Sequence, residues 1–107
     1  MEYRKLGNTG RQISVIGLGC EHLDGKPYEQ VRETIDAALD MGVNILDVFM
    51  PGREVRKNIA KALGNRRSRV MIQGHIGSTD IKQQYDISRD IPTVKRYFED
   101  ILRLFGG

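Results

Sequence analysis

Apolar positions along the chain switch between short continuous runs and helical spacing. Ile13-Ser14-Val15-Ile16-Gly17-Leu18-Gly19 is a run of the first kind, and it follows the turn signal Gly7-Asn8-Thr9-Gly10. Tyr3 to Leu6, on the other side of that turn, can pair back, so residues 1–14 are expected to form an N-terminal β-hairpin. After Pro27, Val31, Ile35, Ala38 and Leu39 line one face of a helix that Gly42 stops. Val43-Asn44-Ile45-Leu46-Asp47 reads as a buried strand, which Val48 and Phe49 can extend. Beyond the breaker Pro51-Gly52, a second helix carries Val55, Ile59, Ala62 and Leu63 on one face and ends at Gly64-Asn65. Arg69-Val70-Met71-Ile72-Gln73 reads as a third strand, and the polar stretch from Gly77 to Arg89 as a long loop. Pro92 then opens a third helix with Val94, Phe98, Ile101, Leu102 and Phe105 along one side.

The order hairpin, then β-α-β-α-β-α, predicts an α/β fold with parallel strands and right-handed crossovers. One domain spans 1–107, with the hairpin (1–14) leading into three β/α units (13–105). Parallel strands that are apolar on both sides call for cover on both faces. Three strands with helices on one side leave the other face open. Self-association of copies through the sheet edges and that inner face is therefore expected.

Composition narrows the class. A length of 107 residues suits one domain and is too short for a complete (β/α)8 barrel, which needs roughly 250. With 39% hydrophobic and 29% charged residues, the chain is neither disordered nor fibrous. No apolar run approaches the ~20 residues of a membrane span, and no apolar segment follows Met1-Glu2-Tyr3-Arg4-Lys5, so no membrane partner is expected. A single cysteine cannot form an internal disulfide and suits a reducing, cytoplasmic setting. The formal charge of +3 is scattered among acids, apart from Arg66, Arg67 and Arg69 and a looser Arg53, Arg56, Lys57 group. With only 7% aromatics this is not the basic, aromatic-interleaved stripe of a nucleic-acid binder, and none is expected as a partner.

Ligands in parallel β/α folds bind beyond the carboxyl ends of the strands. The first strand ends in Gly19-Cys20-Glu21-His22, the second in Asp47, and the third leads to His75, so both histidines and the only cysteine fall on one rim. Asp47 closes an apolar run, where an unpaired carboxylate is costly, and reads equally as a catalytic carboxylate or a loop-bonding one. His75 reads as a proton donor, a metal ligand or a loop histidine bonded to backbone. Cys20, His22, Asp47 and His75 together offer ligands for zinc or iron, although no C-x-x-C or H-x-x-x-H spacing accompanies them. Gly17-Leu18-Gly19 is not a dinucleotide fingerprint, because His22 stands where its third glycine belongs. Gly74-His75-Ile76-Gly77 lacks the Lys-Ser/Thr of a phosphate loop. The carboxylates Glu21 and Asp47 near Cys20 would raise its thiol pKa, against a role as nucleophile.

Three segments carry a resemblance. Tyr3-Arg-Lys-Leu-Gly-Asn-Thr-Gly10, Ile13-Ser-Val-Ile-Gly-Leu-Gly-Cys20 and Ala37-Ala-Leu-Asp-Met-Gly-Val-Asn-Ile-Leu-Asp47, continued by Ala60-Lys-Ala-Leu63 and Val70-Met-Ile-Gln73, resemble the N-terminal part of the aldo-keto reductases. The resemblance implies part of a (β/α)8 barrel whose hairpin closes the barrel bottom, and a parent activity of NADPH-dependent reduction of aldehydes and ketones. It implies a catalytic group of aspartate, tyrosine, lysine and histidine. Asp47 matches the aspartate, Gly52 stands at the tyrosine position, His75 stands at the lysine position, and the histidine belongs to a fourth strand beyond residue 107. His75 becomes the candidate substitute acid. Gly19 and Cys20 match the segment near the nicotinamide. Most of the family's contacts to the cofactor phosphates come from later strands, so the isolated chain is expected to be inactive. Two alternatives stand beside this reading: a non-catalytic, self-assembling β/α module, and a metal site built from Cys20, His22, Asp47 and His75.

Overall fold

In the computed structural model, which describes residues 1–82 and 84–106, the element order follows the apolar pattern closely. Strands β1 (Tyr3–Lys5) and β2 (Gln12–Ser14) form the antiparallel N-terminal hairpin, with Arg4 opposite Ile13. The apolar run that begins at Ile13 does not continue as one strand. It bends after Ser14, leaving Val15 and Ile16 exposed, and resumes as the two-residue strand β3 (Leu18–Gly19). Helix α1 (Tyr28–Asp40), strand β4 (Ile45–Val48), helix α2 (Arg53–Leu63), strand β5 (Met71–Gly74) and helix α3 (Ile91–Phe105) complete the β/α units.

Strands β3, β4 and β5 form a parallel sheet in that order, with Gly19 opposite Asp47 and Asp47 opposite Gln73. Along β4 the burial alternates. Leu46 and Val48 are fully buried in the core with Val31 and Ile35 of α1 and Val55 and Ile59 of α2. Ile45 and Asp47 lie on the opposite face and are only half-buried. The expectation that Asp47 closes a run buried on both sides is thus corrected. Helices cover one face, and period-2 alternation puts Asp47 on the open one.

The second correction concerns Gly77 to Arg89, expected to be a loop. Within it, β6 (Ser78–Ile81) and β7 (Gln84–Ile87) pair antiparallel, and the Ser88 amide donates to the Gly77 carbonyl oxygen at 2.9 Å to close the base. Its polar alternation lacks the apolar face by which a strand is recognised in sequence, because both faces of β7 meet solvent. The hairpin is anchored instead by Tyr97 of α3, whose hydroxyl donates to the Asp80 carbonyl oxygen (2.7 Å) and accepts from the Asp80 amide (3.0 Å).

Polar side chains tie the first hairpin to the lower end of the sheet. The Ser14 amide donates to Asn44 Oδ1 at 2.7 Å, and Asn44 Nδ2 donates to the Gln12 carbonyl oxygen at 2.9 Å. Gly42, with φ +87°, turns the chain out of α1 in a conformation that side chains disfavour, and its carbonyl oxygen accepts from the Tyr3 hydroxyl at 2.8 Å. The hairpin is therefore locked at the end opposite the carboxyl ends of the strands, which stay free.

Candidate functional site at the strand ends

Asp47 reaches the rim from β4, and His75 follows the last residue of β5. Neighbouring parallel strands bring them together, and His75 Nε2 lies 2.7 Å from Asp47 Oδ1, a hydrogen bond or an ion pair according to the state of the ring. Both side chains are partly open to solvent, 35% for His75 and 40% for Asp47. Phe49 sets its ring edge-on to the imidazole, with centroids 5.1 Å apart and planes at 89°. Tyr85, carried by β7, lies against the other side of Phe49 at 4.9 Å. Nothing in the sequence placed Tyr85 at the rim, because its position depends on the β6–β7 hairpin. Phe49 was read only as a strand extension.

The site sits between two depressions. On one side, His75 borders an apolar groove of about 220 Å³ between β5 and α3, lined by Ile72, Val94, Phe98, Ile101 and Leu102. On the other, Phe49 and Tyr85 border a polar cleft of about 440 Å³ that also holds Glu21, His22 and Lys26. The imidazole thus offers acid–base chemistry at the boundary of an apolar and a polar surface. With Nε2 held by the carboxylate, the other ring nitrogen, Nδ1, takes part in none of the hydrogen bonds among the described residues. A charged ring so oriented can give a proton from Nδ1, and the carboxylate stabilises the charge it carries beforehand.

The remaining candidates separate. The Cys20 side chain is fully buried in the core, and its amide donates to the Asp47 carbonyl oxygen at 2.9 Å. Burial, and secondarily the Asp47 carboxylate, pushes its thiol pKa up to about 12, which leaves it protonated and unreactive at neutral pH. His22 lies exposed in the short turn Glu21–Leu23. Asp47 and His75 meet; Cys20 and His22 do not join them. The four-residue metal site is therefore corrected: among the described residues no three His, Cys, Asp or Glu side chains converge as a metal would require. Gly19 is exposed, and a side chain there would meet nothing within 4 Å.

Comparison with known proteins agrees with this geometry. No protein-family model matches the chain. Two solved structures of Pseudomonas aeruginosa proteins described as aldo-keto reductases superpose on 97% of it, with TM-scores of 0.78 and 0.79 and identities of 23% and 22%. This is the fold of part of an aldo-keto reductase. An uncharacterized oxidoreductase of Bacillus subtilis (strain 168), YqkF, is 27% identical across the whole chain. The chain spans 40% of that protein and 42% of each aldo-keto reductase structure. Among the described residues, no helix is long and apolar enough to cross a membrane.

Proposed function

We propose that the chain forms the proton-handling part of a nicotinamide-dependent carbonyl reductase, with NADPH as cofactor and an aldehyde or ketone as substrate. The observation that carries this reading is the 2.7 Å contact between His75 and Asp47 on the open face at the strand ends. A bound nicotinamide would supply a hydride to the carbonyl carbon. His75 gives the proton that the carbonyl oxygen needs as it becomes a hydroxyl, and Asp47 orients the ring and balances its charge. With Gly52 at the position of the family's tyrosine, no hydroxyl competes with His75 for this role from that side. The free thiol of Cys20 suits a cytoplasmic setting.

The described residues fit the cofactor at one end only. Gly19 offers bare backbone beside Asp47, where a flat ring can approach closely. None of the glycine-containing turns here has the Lys-Ser/Thr or G-x-G-x-x-G arrangement that cradles phosphates. Weak binding through the nicotinamide end is the expected result. Titration of NADPH fluorescence should show saturation in the wild-type chain and none in Gly19→Val, a change the open space tolerates. Equal titrations in the two proteins, or no saturation in either, would refute the reading.

A further inference from the structure

The largest fully buried side chain is an arginine. Arg56, in the first turn of α2, is 0% exposed. Its Nε donates to the Met50 carbonyl oxygen at 2.8 Å, while Nη1 and Nη2 have no partner among the described residues. A buried cation with two unanswered donor groups calls for an anion or for water. Burial lowers the Arg56 pKa, and the charges that act against this are Asp100 and Tyr97 of α3. These two residues, with Pro51 next to Met50, wall a cleft of about 270 Å³ between α2 and α3 that also holds Arg53, Arg96, Arg103 and Asp80.

The cleft is underfilled with partners in both senses. Arg53 and Arg103 stand 3.9 and 3.8 Å from Asp100 Oδ1, too far for good hydrogen bonds, so their N–H groups stay available. Arg96 lies over the Tyr97 ring, 5.3 Å from its centroid, without a carboxylate partner among the described ion pairs. Asp80 Oδ1 is buried and has no donor. Counting Arg56 behind the wall, four guanidinium groups face two carboxylates. Helix α2 begins here on Gly52, which supplies no side-chain cap, and its positive end adds to the field.

We propose that this cleft binds a protonated phosphoryl group, with Arg56, Arg53, Arg96 and Arg103 donating to its oxygens and its P–OH donating to Asp80. Guanidinium forks match phosphate oxygens. A hydrogen phosphate satisfies both orphaned types at once, the donors of Arg56 and the acceptor of Asp80. Sulfate, which has no proton at this pH, satisfies only the first. The site lies at the α2–α3 junction, does not use the Asp47–His75 pair, and stands independently of the reductase reading.

Thermal unfolding at pH 6.0 and constant ionic strength tests the proposal, with sodium chloride, sulfate, inorganic phosphate and glycerol 3-phosphate as additives. A site near saturation should raise Tm by roughly 5 °C with inorganic phosphate and by clearly less with sulfate. A larger shift with glycerol 3-phosphate would assign the group to a phosphate ester, and a smaller one to the free ion. The phosphate shift should vanish in Arg56→Met and fall by at least half in the doubly substituted Arg96→Gln/Arg103→Gln, whose exposed positions keep the fold if Arg56→Met does not. Equal shifts with phosphate and sulfate, a phosphate shift no larger than that of chloride, or one that survives Arg96→Gln/Arg103→Gln would overturn the proposal.

Discussion

His75 Nε2 and Asp47 Oδ1 meet at 2.7 Å although 28 residues separate them, because the strand ends that carry them are adjacent in a parallel sheet. Both groups are more than a third exposed, so solvent screens their attraction and their contribution to stability is about 1 kcal/mol or less. Asp47→Asn and His75→Gln should therefore unfold within a few degrees of the wild-type chain. A loss of more than 10 °C in either would mean that the pair holds the sheet together rather than serving chemistry.

Cys20 should be inert while the chain is folded. At pH 7.5 a maleimide or iodoacetamide should label it only after denaturant is added, because the thiol is both buried and held protonated. The linkage has a definite sign. The folded thiol's pKa lies above the unfolded value, so its stabilisation is complete below about pH 9 and is lost as pH rises toward 12. Cys20→Ala should flatten the alkaline fall in Tm, and an unchanged alkaline limb would show that another group causes it.

The apolar periodicity placed all three helices, because each buries one face against the sheet or its neighbour, and local spacing records that face. Asp47 and His75 were readable as rim residues for a related reason: the strand ends are where the apolar runs stop. Two things were not readable. The β6–β7 hairpin has no inward apolar face and depends on one long-range anchor, Tyr97 on the backbone of Asp80, so Tyr85 was left without a place. Cys20 and His22, two residues apart, looked like paired ligands. The chain enters a short helical turn after Cys20, which sends the thiol into the core and leaves the imidazole outside.

Arg67 joins the two ends of the last β/α unit. Its Nε donates to the Phe105 carbonyl oxygen at 2.6 Å and its Nη1 to the Val70 carbonyl oxygen at 2.9 Å. Arg67→Met should cost about 1–3 kcal/mol, the range for removing partners of half-buried carbonyls. Arg67→Lys should recover only part of this, since one ammonium does not reproduce the fork. Chemical denaturation measures both, and a loss under 0.5 kcal/mol for Arg67→Met would refute the bridging role.

Asp90 caps α3. Its carboxylate accepts from the Thr93 hydroxyl at 2.6 Å and from the Thr93 amide at 3.0 Å, and these bonds hold its pKa below the ordinary value. A depressed carboxylate stabilises the fold above its unfolded pKa, and that contribution disappears as pH falls through the lower folded value. Asp90→Ala should lower Tm at pH 7 and leave it nearly unchanged near pH 2. An equal loss at both pH values would show that charge and capping play no part.

The central claim is that the Asp47–His75 end of the sheet is where a cofactor and a carbonyl meet. Chemical-shift mapping by NMR, with NADPH and a simple aromatic aldehyde added to the wild-type chain, tests it most directly. The account predicts that the largest changes fall on Gly19, Asp47, Phe49, His75 and Tyr85. Changes confined to the outer surface of α3, or no changes at millimolar ligand, would contradict it.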